Sequence, residues 1–151
     1  MSPWTAFTVV FTAVTSGLLG GVYLAFSFMV LPALSRLQPA RAAAAMNQIN
    51  VAAERRGFLL PFLLNPIAAV VVLVVFSPQL HLLANHWLSL GAVFALISLI
   101  LTLAHNVPWN RRLAADPECW PAFRHAWSAS NLARGLLNTA SAILLTVGLL
   151  N

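Results

Sequence analysis

Four apolar stretches constrain this chain more than any other feature of its sequence. They cover residues 4–31, 58–76, 87–105 and 131–150. A helix that crosses the hydrocarbon core of a bilayer needs about 20 apolar residues, and each stretch is of that order. The chain is 60% hydrophobic and only 7% charged, which leaves too few polar side chains to cover a water-soluble domain. The sequence predicts an all-α integral membrane protein in which residues 1–151 form a single four-helix bundle.

Prolines follow the first three stretches. They occur at Pro32, at Ser77-Pro78 and at Asn106-Val107-Pro108. Proline lacks an amide donor and disfavours the helical region for the residue before it. We therefore expect each of these helices to end at its proline.

The arginines fall in two of the three predicted loops. The first loop and its edges hold Arg36, Arg41, Arg55 and Arg56, the third holds Arg111, Arg112 and Arg124, and residues 78–86 hold none. Cytoplasmic loops of membrane proteins are enriched in Lys and Arg. The distribution predicts that loops one and three are cytoplasmic and that both termini lie on the opposite side, in the inner membrane if the chain is prokaryotic. The net charge of +5 thus reflects topology, and we expect no nucleic-acid partner.

The first loop is predicted to carry a helix of its own. It begins near Pro39, whose fixed φ suits a helix start, and continues through Ala-rich sequence to about Arg56. Asn47, Asn50 and Glu54 share one face of this helix. We expect an amphipathic helix whose polar face is either solvated or turned into a polar pocket.

A second polar face leads into the fourth stretch. Trp127, Asn131, Arg134 and Asn138 lie at i, i+4, i+7 and i+11, so they share one helical stripe. An arginine inside an apolar helix is costly in lipid and marks a functional site by default. The alternative is that Arg134 snorkels to the interface. Snorkelling does not account for the two asparagines on the same stripe.

The predicted topology brings further polar residues to the same end of the bundle. They are Asn65 in the second span, Ser98, Thr102 and His105 on one side of the third, and Asn106, Trp109 and Asn110 at its close. Together with the two polar faces, they predict a pocket at the cytoplasmic end.

Small residues recur at every fourth position of the first span. They are Ala13, Gly17, Gly21 and Ala25. Such a ridge lets helix backbones approach closely. We expect it to pack against another span or, through the Gly17/Gly21 face, against a second copy of the chain in a homo-oligomer.

Three short elements of the chain resemble those of the anthrone oxygenase-like membrane family. They are Met46-Asn47-Gln48-Ile49-Asn50, similar to Met-Gln-x-Ile-Asn; Asn106-Val107-Pro108-Trp109-Asn110, similar to Asn-x-Pro-x-Asn; and Trp127, Asn131 and Arg134, similar to Trp-x3-Asn-x2-Arg. The elements occur in the family's order, and the resemblance covers nearly the whole chain. Asn47 departs from the family's usual Gln. The resemblance implies a membrane oxygenase that oxidises a hydrophobic aromatic substrate such as an anthrone with O2, without an evident metal or organic cofactor.

The residues are compatible with that chemistry. Removal of a CH2 proton from an anthrone gives an anthrolate that passes an electron to O2, so the enzyme needs a base and donors for the oxyanion. The implied catalytic residues are His105 as the base, Glu54 as the second choice and Arg134 for the oxyanion. The implied substrate-binding residues are Asn47, Asn50, Asn65, Asn106, Trp109, Asn110, Trp127, Asn131 and Asn138. The tryptophans would stack on a flat substrate that arrives from the lipid or from the cytoplasmic face.

Two other functions stay open at this point. His105, His125 and Glu54 are the residue types of an iron site, although no HxxH or ExxH pair occurs; iron, copper and haem stay open as cofactors. The other function is a non-catalytic binder or accessory subunit, in which Arg134 and the asparagines hold an anionic or lipid-like small molecule. A transporter is disfavoured because the polar residues gather at one end of the bundle.

Overall fold

The fold is that of a computed structural model that describes residues 1–79 and 82–151, with their side chains except those of residues 56, 58 and 79. Within these ranges the chain folds into helices, without strands. The predicted all-α class is confirmed. Leu80 and His81, in the predicted second loop, lie outside the described residues.

Five helices form the described part of the chain. They are α1 (Pro3–Leu34), α2 (Pro39–Ala53), α3 (Arg56–Phe76), α4 (Leu83–Ala115) and α5 (Trp120–Leu150). Four of them, α1, α3, α4 and α5, are long and apolar enough to cross a membrane. The chain therefore has the helices of an integral membrane protein, as the apolar stretches predicted.

Two predicted helix ends are wrong, because α1 continues past Pro32 and α4 continues past Pro108. A π-helical turn lies just ahead of each proline, at Phe26–Val30 and at Thr102–Asn106. A π turn has i→i+5 hydrogen bonds and is wider than an α turn. The extra width relieves the clash between a proline ring and the carbonyl of the preceding turn, so the helix passes through the proline.

Of two further boundaries, one agrees with the prediction and the other does not. α3 ends at Phe76, just before Ser77 and Pro78, as expected. α5 begins at Trp120 rather than near residue 131, with Pro121 in its first turn, where a missing amide donor costs nothing. The fourth span is therefore preceded by several helical turns outside the predicted apolar stretch.

α5 is the central helix of the bundle. It packs along α1 and along α4, and α3 closes the bundle by packing against α1 and α4. One apolar cluster, which includes Met46 and Phe123, fills the Arg-rich end. Another, which includes Val9 and Leu145, fills the opposite end. All four spanning helices carry buried polar residues; in the described ranges they are Thr12, Thr15, Ser16, Asn65, Asn85, Ser89, Ser98, Thr102, Asn106, Asn131, Arg134, Asn138 and Ser141.

α2 lies in the predicted first loop. It contacts the C-terminal turns of α4 and the turn Pro117–Cys119 that precedes α5. Ala42, Ala43 and Met46 are its buried residues, whereas its exposed residues include both Gln48 and Val51. The extra helix is present, and its amphipathic character stays a prediction.

Among the glycines of α1, Gly20 makes the tightest contact with α5, and it is not on the predicted ridge. A Cβ atom at Gly20 would lie 2.8 Å from Thr139 Oγ1 and 3.0 Å from the Thr139 amide nitrogen. At Gly17 the nearest atom would be Ala142 Cβ at 3.7 Å, and at Gly21 no atom lies within 4 Å. Gly21, on the predicted ridge, therefore contacts no other helix in the described ranges, whereas the adjacent Gly20 makes the close contact with α5.

Candidate functional site

Arg134 lies inside the bundle, with only 4% of its surface exposed. Its Nη1 donates to Thr102 Oγ1 at 3.1 Å, and its Nη2 donates to Asn131 Oδ1 at 2.8 Å. The guanidinium carbon lies 4.2 Å from the centroid of the Tyr23 ring and 5.5 Å from that of the Trp127 ring. Arg134 therefore does not snorkel, and neutral groups surround its cation.

No carboxylate balances this cation. The chain has three acidic residues, and all of them, Glu54, Asp116 and Glu118, are exposed. Arg134 Nε is also buried without a hydrogen-bond partner. Burial of an unpaired charge costs several kcal/mol, of which hydrogen bonds and ring contacts recover only a part. An anion, or an oxygen that gains negative charge during a reaction, would complete the site.

Asn131 fixes the orientation of the guanidinium. Its Nδ2 donates to the Tyr23 carbonyl oxygen at 2.7 Å and to Ser27 Oγ at 2.8 Å, which leaves Oδ1 to accept from Arg134. Ser27 lies in the π turn of α1, and Thr102 opens the π turn of α4. Both π turns therefore supply a side chain that holds the Asn131–Arg134 pair, which agrees with the frequent occurrence of π turns at functional sites.

A small cavity lies among the four spanning helices, and Arg134 is not one of the residues that line it. It leaves about 10 Å³ for the centre of a water-sized molecule, roughly the room that one water needs. Tyr23 and Thr102, which both contact Arg134, form part of its wall. The full lining is Leu19, Tyr23, Phe62, Asn65, Pro66, Ala95, Ser98, Leu99, Thr102 and Asn138. All four spanning helices thus contribute to this cavity.

Asn138 presents an unused acceptor at the cavity. Its Nδ2 donates to Ser98 Oγ and to the Arg134 carbonyl oxygen. Its Oδ1 is buried without a hydrogen-bond partner, and the residue is 1% exposed. A buried acceptor of this kind costs about 1–3 kcal/mol unless it is satisfied, so the cavity suits a group that can donate a hydrogen bond.

Two other predicted asparagines join helices. Asn65 Nδ2 donates to Thr15 Oγ1 at 2.8 Å and to Ser16 Oγ at 2.9 Å, which ties α3 to α1. Asn106 Oδ1 accepts from Ser130 Oγ at 2.7 Å, which ties α4 to α5. These contacts account for the burial of both amides without a ligand.

His105 lies outside the residues that line the cavity. Its ring centroid is 6.5 Å from that of Trp109, which in turn lies beneath the Arg112 guanidinium at 4.9 Å. His105 Nδ1 is buried without a hydrogen-bond partner. His105 belongs to the same π turn as Thr102, the residue that accepts a hydrogen bond from Arg134.

The predicted polar face of α2 meets the C-terminal turns of α4. Asn47 Nδ2 donates to the Leu113 carbonyl oxygen at 3.4 Å. Asn47 Oδ1, Asn50 Nδ2 and Asn110 Oδ1 are buried without hydrogen-bond partners. Glu54, on the same predicted face, is exposed, so the structure separates it from the asparagines.

The residues of the alternative iron site, which the sequence left open, do not come together. Glu54 and His125 are both exposed, whereas His105 is half-buried. Over residues 1–79 and 82–151, no group of three or more His, Cys, Asp or Glu side chains lies close enough to hold a metal ion.

Sequence reasoning missed Tyr23 and Ser27. Tyr23 is the only tyrosine of the chain, and a phenol within an apolar span is the signal that could have drawn attention to it. Ser27 carried no such signal, because serine is common where spanning helices pack. Both residues reach Asn131 and Arg134 only through the packing of α1 on α5.

Comparison with known proteins found no matching family model, no matching curated protein and no matching solved structure. The site itself points to a function, because it combines a buried guanidinium that has no counter-ion and lies over an aromatic ring with a nearby cavity whose lining residue Asn138 has an unused acceptor.

Proposed function

We propose that the protein is a membrane oxygenase-like enzyme that oxidises a hydrophobic, anthrone-like aromatic ketone with O2. The observation that carries the proposal is Arg134, a buried cation whose hydrogen-bond partners Thr102 and Asn131 are neutral. Its guanidinium would hold the ketone oxygen as that oxygen becomes an oxyanion.

The reaction would convert the CH2 group of the anthrone into a carbonyl. Loss of a CH2 proton gives an anthrolate whose negative charge resides on oxygen. The anthrolate reduces O2; one oxygen atom enters the product as the new carbonyl, and the other leaves as water. Because the electrons lost by carbon are those that O2 takes up, no further reductant is needed. The proposal therefore has O2 as the co-substrate and no metal or organic cofactor.

The surroundings of Arg134 support an aromatic substrate. Tyr23 and Trp127 place ring faces near the guanidinium, and Leu19, Phe62 and Leu99 give the cavity apolar walls. Electrostatic stabilisation by preorganised donors is strongest where water is excluded. A cation between neutral, apolar groups meets that condition.

The substrate is larger than the cavity, so helices must separate to admit it. α3 packs against α1 and α4 on the side of the bundle opposite α5, and its half-buried Phe62 and Pro66 form the outer wall of the cavity. Displacement of α3 would open the site to the bilayer, which is where a hydrophobic substrate is dissolved.

His105 is the proposed base. It shares a π turn with Thr102, the residue that accepts from Arg134 Nη1. Glu54 is the less favoured base because it is exposed.

A non-catalytic binder is the second candidate, and one observation favours it. The described residues that line the cavity include no His, Asp or Glu, so no ordinary base touches the space beside Arg134. In this function Arg134 and Asn138 hold an anionic or lipid-like molecule that also donates a hydrogen bond.

The test is O2 uptake by the purified protein in mild detergent, with anthrone as the probe and its spontaneous oxidation subtracted. We expect formation of anthraquinone by the wild-type protein. Arg134→Gln should lower kcat/KM by about 10²–10³-fold, the range found when a preorganised oxyanion donor is removed.

Arg124→Gln is the matched control, since Arg124 is an exposed arginine on the same helix, and it should leave turnover unchanged. A folded Arg134→Gln protein that oxidises anthrone at the wild-type rate would contradict the proposal. Tight binding of anthrone without O2 uptake would instead support the binder.

The proposal includes an arrangement in the membrane. The Arg-rich end lies in the cytoplasm, both termini lie on the opposite side, and α2 rests at the membrane surface as an amphipathic helix. The open face at Gly21, where no atom lies within 4 Å of an added Cβ, is the proposed contact for a second copy of the chain.

A further inference from the structure

Unpartnered polar atoms continue from Arg134 toward the Arg-rich end of the bundle. Beyond Arg134 Nε, five buried side-chain atoms in the described ranges have no hydrogen-bond partner on that side: Trp127 Nε1, His105 Nδ1, Asn110 Oδ1, Asn50 Nδ2 and Asn47 Oδ1. They come from α2, α4 and α5, so no single helix accounts for them.

A hydrogen bond joins α2 to the last turns of α4. Asn47 Nδ2 donates to the Leu113 carbonyl oxygen at 3.4 Å, and α2 also contacts the turn Pro117–Cys119. Asn50 comes three residues after Asn47, and Asn110 comes three residues before Leu113. Each of these two asparagines therefore lies about one helical turn from that hydrogen bond.

Buried polar atoms in proteins are almost always satisfied, by protein groups or by ordered water. A chain of water molecules requires both donors and acceptors along its path. The unpartnered atoms supply both, since Asn50 Nδ2 is a donor and Asn110 Oδ1 is an acceptor. Toward the opposite end, beyond Asn138, Ser89 Oγ is the only such atom among the described residues.

We propose that the interface between α2 and the end of α4 is a water-binding crevice that leads from the aqueous phase at the Arg-rich end, past Asn50, Asn110 and His105, to Arg134. The crevice admits water and protons to a site that is otherwise enclosed by apolar residues.

The crevice would give the proposed reaction a path for its proton. The substrate proton would pass to His105 and leave along the water chain past Asn110 and Asn50. This role rests on the proposed function, whereas the hydration of the crevice does not depend on it.

The experiment measures access of silver ion, a small thiol-specific probe that replaces the thiol proton. Cys119, the single cysteine, is first changed to Ala. Cysteines are then introduced in the full chain by Asn50→Cys, Asn110→Cys and His105→Cys, and the fraction blocked by silver is read by alkylation after denaturation. We expect these three thiols to be blocked at least about tenfold faster than thiols that need local unfolding to react.

Matched controls lie on α2 itself. Ala43→Cys and Met46→Cys place thiols in the apolar cluster at positions that are 0% and 1% exposed, and they should react slowly. Ala44→Cys, at an exposed position, sets the fast limit. Blocking of the Asn50→Cys and Asn110→Cys thiols at the rate of the Ala43→Cys thiol would overturn the proposal.

A second variant separates a hydrated crevice from a loosened fold. In the His105→Cys protein, Asn50→Leu and Asn110→Leu together fill the interface with apolar side chains and should slow silver access to the thiol at position 105. Unchanged access would contradict the proposed route. Since no substrate is used, a hydrated crevice in a protein that does not oxidise anthrone would overturn the proposed function and leave the crevice standing.

Discussion

At the scale of the residue, Arg134 is a buried cation with neutral partners. Hydrogen bonds from a charged group contribute about 1.5–3 kcal/mol each, and a cation over an aromatic face about 0.5–2 kcal/mol. Its bonds to Thr102 and Asn131 and its contact with Tyr23 therefore offset much of its desolvation. The local charge is left positive, which is the property that an anion-binding site requires.

A carboxylate placed beside Arg134 should neutralise the local positive charge and so abolish the capacity of the site to bind an anion. Thr102→Asp puts a negative charge at the position of Thr102 Oγ1, which lies 3.1 Å from Arg134 Nη1. We expect anthrone turnover, or binding in the case of a binder, to fall by about 10²-fold or more, because the oxyanion loses its cation.

Thr102→Asn is the matched variant, since it has nearly the same shape as Asp and no charge. It should retain most of the activity, and both proteins should remain folded as judged by circular dichroism in detergent. Equal activity of the Asp and Asn variants would show that the charge of Arg134 does not act on the ligand.

At the scale of the element, the two π turns and one glycine set how the helices meet. The π turns carry α1 and α4 past their prolines and present Ser27 and Thr102 to α5. Gly20 lets the backbone of α1 approach Thr139 and Gly135. The site around Arg134 depends on this approach, because Tyr23 lies on α1 one turn beyond Gly20.

Adjacent glycines on α1 should respond in opposite ways to the same substitution. Gly20→Ala places a methyl group 2.8 Å from Thr139 Oγ1 and 3.0 Å from a backbone nitrogen, and we expect it to destabilise the fold by about 1–3 kcal/mol through overpacking. Gly21→Ala meets no atom within 4 Å and should be neutral or stabilising by up to about 1 kcal/mol, since alanine favours the helix.

Thermal unfolding in mild detergent, followed by circular dichroism, measures both effects. A similar loss of stability in the Gly20→Ala and Gly21→Ala proteins would mean that α1 is rotated relative to the orientation described. If Gly21→Ala alone lowered the stability and also dissociated an oligomer, the second copy of the chain would bind at the Gly21 face of α1.

At the scale of the whole molecule, the bundle is asymmetric along its axis. The Arg-rich end combines α2, the last turns of α4 and the first turns of α5 around one apolar cluster, whereas the opposite end holds the starts of α1 and α4 and the ends of α3 and α5. Arg134 lies near the middle of α5, fourteen residues from its start at Trp120 and sixteen from its end at Leu150, or about 21 and 24 Å at 1.5 Å per residue.

The orientation of this asymmetric bundle can be tested in intact cells. In a Cys119→Ala background, Ser2→Cys and Asp116→Cys place exposed thiols at the two ends. We expect a membrane-impermeant thiol reagent to label the Ser2→Cys protein from outside and the Asp116→Cys protein only after permeabilisation, since arginine-rich loops are retained in the cytoplasm. The reverse pattern would invert the proposed topology.

The sequence by itself determined the number of spans, the all-α class and the buried stripe of α5. These follow from local rules, because hydropathy over about 20 residues defines a span and the 3.6-residue period decides which residues share a face. Trp127, Asn131, Arg134 and Asn138 are all nearly inaccessible, in agreement with their spacing.

Only the tertiary structure decided how the helices are rotated and where they continue. Tyr23 reaches Arg134, Gly20 rather than Gly17 or Gly21 makes the tight contact, and His105 is not among the residues that line the cavity. The sequence could not show this because spanning helices are apolar on the lipid side and the core side alike, so periodicity does not fix their rotation. Packing of small residues and pairing of buried polar groups fix it instead, and both depend on which helices become neighbours.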